Sequence, residues 1–90
     1  MKREDLPDIL YNIIKSFPNG SATMQQIFRR FWNLYKKKLN EADDIFYTWN
    51  YEIRWAATEL RKQGRMKPAH SRENTRGGED TSRIGIWEIW

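Results

Sequence analysis

The sequence predicts an α+β domain, three helices followed by a C-terminal β-hairpin. Three observations carry this. Residues 6–17 and 24–39 repeat apolar side chains at the helical interval. Residues 48–63 do the same and stop at Gly64, a residue suited to the left-handed position that closes a helix. The chain then ends on Ile84-Gly85-Ile86-Trp87-Glu88-Ile89-Trp90, a run too apolar to remain in water.

In the first helix, Leu6, Ile9, Leu10, Ile13, Ile14 and Phe17 form one stripe at i, i+3, i+4, i+7. Asp5 is expected to cap it. Pro7 suits its first turn, and Asp8 puts negative charge where the helix dipole favours it. Pro18-Asn19-Gly20 ends the helix. Ser21-Ala22 has room only for a brief edge strand.

The second helix begins at Thr23, with Gln26 three residues later completing a capping box. Met24, Ile27, Phe28, Phe31, Trp32, Leu34, Tyr35 and Leu39 spread over an apolar arc of roughly 160°. Arg29, Arg30, Lys36 and Lys37 lie opposite, either as a solvated face or as phosphate contacts. Lys38 falls inside the arc, so the helix is expected to end near it. An acidic-to-aromatic connector follows at 40–47, with Ile45 and Phe46 packed inward.

The third helix starts at Thr48 or Asn50. Trp49, Ile53, Ala56, Ala57 and Leu60 share its inner face, while Tyr51, Trp55, Thr58 and Lys62 point away and Arg54 and Arg61 flank them. Strands are expected at 65–68 and 84–90, joined by a polar loop carrying His70, Arg72, Arg76 and Arg83. Helix, strand, basic loop and returning strand form the order of a winged helix-turn-helix, here one domain over residues 1–90.

Net charge is +4 and the isoelectric point is about 9.6. Residues 23–39 hold five basic side chains and no acidic one, and residues 65–83 hold five against three. The excess therefore sits in stretches that their sequence neighbours leave largely unneutralised. Five tryptophans, four tyrosines and four phenylalanines argue against disorder. With no cysteine, disulfides and thiolate metal sites are excluded. His70, the one histidine, leaves no histidine-based zinc cluster. Neither a membrane-spanning run nor a secretory signal is present, so a cytoplasmic location is the default expectation. Gly77-Gly78 lacks the lysine and following helix of a phosphate-binding loop. The serines have no histidine partner beyond His70, and Asp43-Asp44 sits on a connector. Catalysis within this chain is not expected, and no cofactor is implied.

What remains is a surface that suits DNA. The candidate contacts are Asn50, Tyr51, Arg54, Trp55, Thr58, Arg61 and Lys62 on the third helix, with Arg72, Arg76 and Arg83 in the loop. Arginine can bond guanine bidentately, threonine can touch a base edge or methyl, and lysine neutralises phosphate. Three assignments stay open. Asn50 either reads adenine or caps the helix. Trp55 either packs against Trp87 or the second helix, or stacks on nucleic acid. The loop is either a solvated turn or an arm lying in a groove or on the phosphates.

The segment Trp49-Asn50-Tyr51-Glu52-Ile53-Arg54-Trp55-Ala56, followed by Leu60, Gly64 and Gly85-Ile86-Trp87-Glu88-Ile89, resembles the N-terminal winged-helix domain of Mrr-type restriction proteins. The opening Leu6-Pro7-Asp8-Ile9-Leu10 fits the same pattern. The resemblance implies a double-stranded-DNA targeting module attached to or associated with a nuclease, in a prokaryotic defence or restriction system. Such nucleases often act on DNA with modified bases, so Tyr47, Tyr51 and Trp55 become candidates for contact with an added methyl group. The alternative is a winged helix that docks a protein partner or dimerises without binding DNA.

Overall fold

In the computed structural model, residues 2–40, 45–68 and 86–90 are described. Their architecture is α+β: helices α1 (Leu6–Lys15), α2 (Met24–Tyr35) and α3 (Trp49–Lys62) with strands β1 (Ser21–Thr23) and β2 (Ile86–Glu88). None of the described helices is long and apolar enough to cross a membrane.

The first helix is entered through a 3-10 turn at Arg3–Asp5. Asp5 does not cap α1 with its side chain. Its carboxylate instead accepts from the Lys2 backbone N–H at 3.0 Å, closing the preceding turn. Leu6, Leu10, Ile13 and Ile14 are buried, and α1 packs chiefly on α3. The chain then turns through Asn19 and Gly20, with φ of 62° and 59°. A side chain at position 20 would place its Cβ 2.8 Å from Ile89 Cγ1. Gly20 thus answers to a left-handed backbone and to a close neighbour at once.

The capping box of α2 forms as its sequence implies. Thr23 Oγ1 accepts from Gln26 N–H at 3.1 Å, and Gln26 Oε1 accepts from Thr23 N–H at 2.9 Å. The apolar arc is not all core, however. Ile27, Phe31 and Leu39 are buried, whereas Trp32 and Leu34 are exposed. The helix ends at Tyr35, with a turn through residues 36–38.

At the end of α3, Gly64 adopts φ +73°. Its N–H donates to Arg61 O at 3.1 Å and that of Arg65 to Leu60 O at 2.9 Å. This paired closure satisfies two carbonyls the helix leaves without partners.

Pairing of the last strand departs from a simple hairpin. β2 runs antiparallel to β1, with Ser21 opposite Glu88, Ala22 opposite Trp87 and Thr23 opposite Ile86. The segment after α3 contributes one bridge, Met66 to Ile89, plus a bond from Lys67 N–H to Glu88 O at 2.8 Å. The C-terminal strand therefore lies between the two, and residues 86–89 are all buried. A strand flanked on both edges is shielded by its neighbours, which accounts for its apolar run and for the modest pairing left to residues 65–68. The long polar loop at 69–83 lies outside the described residues.

Candidate nucleic-acid interface

Two duties are divided between the faces of α3. Ile53, Ala56, Ala57 and Leu60 are buried against α1 and the sheet. On the outer side, Tyr51, Arg54, Trp55, Thr58, Glu59 and Lys62 line one open groove of about 300 Å³. Five of the sequence-derived contacts are thus brought together on a rigid helix. Thr58 Oγ1 donates to Arg54 O at 3.3 Å, a bond back along the helix that leaves the hydroxyl oxygen able to accept.

Charge in the groove is available for exchange. Among the described residues Arg54 makes no ion pair. Lys62 sits 3.5 Å from Glu59, but the lysine side chain is 70% exposed. Such a pair is worth about 0.5 kcal/mol or less, so a phosphate can displace it.

Trp55 is partly buried against the core, and its ring is covered from the N-terminal turn. The Arg3 guanidinium lies 3.8 Å from the Trp55 ring centroid, while Arg3 Nε donates to Glu52 of α3. One arginine from the N-terminal turn therefore covers the indole and neutralises the neighbouring carboxylate. Half-buried, Trp55 forms a wall of the groove rather than a projecting wedge.

Asn50 lies in the first turn of α3, where its Oδ1 accepts from the Tyr51 N–H at 2.9 Å; the N-cap residue is Thr48, which makes no side-chain cap bond. Arg61 does not line the groove. Its Nε donates to Lys67 O at 3.2 Å, and its guanidinium stands 5.9 Å from the Trp87 ring centroid. Burial pulls its pKa below the ordinary guanidinium value, and Nη2 is buried without a hydrogen-bond partner. Arg61 thus tethers the chain leaving α3 to the helix. Arg72, Arg76, Arg83 and His70 lie outside the described residues.

No family model, curated protein or solved structure matches this chain. Its chemistry has to be argued from its own surfaces.

A second groove, of about 560 Å³, opens beside the first and is lined by Gln25, Phe28, Arg29, Trp32 and Trp49. Its rings are organised. Trp49 stacks on buried Phe31 at 5.2 Å and 27° and on Trp32 at 5.7 Å and 14°, and it meets Phe28 edge-on at 6.0 Å. Trp32 is the solvent end of this ladder, at 40% exposure. In the sequence Trp32 falls within the apolar arc of α2 and Trp49 on the inner face of α3. The sign that part of the arc stays uncovered is its width, since packing on one side needs a stripe of only about 100°. Arg54, which lines the α3 groove, holds its guanidinium 5.9 Å from the Phe28 ring centroid. Among the described residues, no three His, Asp or Glu side chains gather as a metal-binding group.

Proposed function

We propose that the chain is a winged-helix module that binds double-stranded DNA through the outer face of α3, as the targeting part of a restriction or defence protein. The observation that carries this reading is the gathering of Tyr51, Arg54, Thr58 and Lys62 along one groove whose helix is held from behind by the core. Element order supports it too: three helices, a short strand between the first two, and a C-terminal strand paired to that strand and bridged to the segment after α3. In this reading Arg54 and Lys62 meet phosphates or guanine edges, Thr58 meets a base, and Tyr51 offers a face for an added methyl group. Any cleavage belongs to a nuclease outside this chain. The rival reading, a protein-docking winged helix, draws on the exposure of Trp32 and Leu34.

Salt separates the two. Contacts to about three phosphates predict that affinity for a short duplex falls roughly 40-fold between 50 and 200 mM salt. Fluorescence anisotropy across a salt series measures this. Arg54→Ala should weaken binding and flatten the salt slope by about one. A duplex affinity independent of salt, or no binding at low salt, would remove the DNA reading. Duplexes carrying N6-methyladenine or 5-methylcytosine test the modified-base extension, which equal binding to all three duplexes would end.

A further inference from the structure

We propose that the groove between Phe28, Trp32 and Trp49 receives a single unpaired base of the DNA strand held on α3. This rests on the duplex-binding reading for the neighbouring strand, and it adds a preference for duplexes with an extrahelical or unpaired nucleotide. Four features favour a base as the occupant. First, the walls are ring systems, arranged as a ladder from buried Phe31 through Trp49 to exposed Trp32, so the outer ring is backed by the core. Aromatic faces of this kind take any base, because every base has a π face.

Second, the surroundings are cationic. Residues 23–40 carry five basic side chains and no carboxylate. Arg29 lines the groove and the Arg54 guanidinium stands 5.9 Å from the Phe28 ring centroid; among the described residues neither arginine makes an ion pair. Of the α3 carboxylates, Glu52 is engaged by Arg3. A nucleotide presents a ring and an anion together, which matches this juxtaposition. An apolar partner helix matches only the rings. Third, the Gln25 amide offers one donor group and one acceptor at the rim, the complement of a base edge. Fourth, the Arg54 guanidinium of the α3 groove stands 5.9 Å from the ring centroid of Phe28, which lines this one, so a cation lies between the two.

The test compares a fully paired duplex, the same duplex with one central unpaired adenine, and a single-stranded oligonucleotide. Binding is read by anisotropy of labelled DNA and by quenching of tryptophan emission. The bulged duplex should bind about tenfold more tightly than the paired one, a value at the lower end of base–aromatic stacking. Trp32→Leu keeps an apolar side chain but removes the π face, and should abolish that gain. Trp32→Phe should keep part of it. Circular dichroism confirms that both variants are folded. Equal binding of bulged and paired duplexes by the unaltered protein overturns the proposal, and so does a full gain retained in Trp32→Leu. If bulged or single-stranded DNA binds and paired duplex does not, the base site stands and the duplex reading of α3 falls. Binding to none of the three removes both. Self-association that Trp32→Leu abolishes, with no preference for the bulge, assigns the groove to a second copy of this chain instead.

Discussion

Gly64 and Gly20 both adopt left-handed backbone, yet they answer to different constraints. Around Gly64 an added Cβ meets nothing within 4 Å, so only the positive φ resists substitution. Gly64→Ala should therefore cost about 1 kcal/mol, a fall in Tm of roughly 4–8 °C for a domain this size. At Gly20 the same φ cost is joined by overlap with Ile89, whose backbone N–H also donates to Gly20 O at 2.9 Å. Gly20→Ala should cost about 2–4 kcal/mol. Thermal melts of the two variants check the order, and a smaller loss at Gly20 would mean that Ile89 moves aside at little cost. Arg3 illustrates a different kind of residue effect. Its bond to Glu52 spans 49 positions of sequence, and its stacking on Trp55 reaches farther still. No local pattern marks it, because the contact exists only once α1 lies across α3.

The ion pair between the post-helix segment and β2 governs how the last strand is held. Lys67 Nζ and Glu88 Oε2 are 2.7 Å apart, with side chains only 17% and 5% exposed. Such a pair contributes little net stability, yet removing one member takes a close counter-charge from the other in a poorly solvated place. Lys67→Met should cost about 3 kcal/mol. The Lys67→Met/Glu88→Leu double variant should lose about 1–3 kcal/mol less than the sum of the two single changes. Urea melts of the four proteins form the cycle, and strict additivity would show that the two charges act independently. Helix α2 carries a related lesson. Its capping box at Thr23 and Gln26 was readable because both partners lie within one turn. Its apolar arc is only partly core, because periodicity reports which side chains are apolar, not how far a neighbour arrives to cover them. Leu34 stays 55% exposed, and Trp32, stacked on Trp49, stays 40% exposed.

The whole domain depends on its C-terminus. β2 lies between β1 and Met66, and Trp87, Ile89 and Met66 join the same core as Leu6, Phe31 and Leu60. Removal of residues 86–90 should thus abolish cooperative thermal unfolding rather than trim a free end, since the buried apolar surface of Ala22 and Met66 would face water. Retention of a sharp transition in the truncated protein would contradict this. Helix existence, the Gly64 stop, the inner face of α3 and the gathering of Tyr51, Arg54, Thr58 and Lys62 were legible in the chain, because each follows from spacing within one element. The partner of the last strand, the inward turn of Arg61, the shelter of Trp55 under Arg3 and the ring ladder ending at Trp32 were not. Each of those joins residues from separate elements, and such contacts are decided by how α1, α2, α3 and the sheet settle around a shared core.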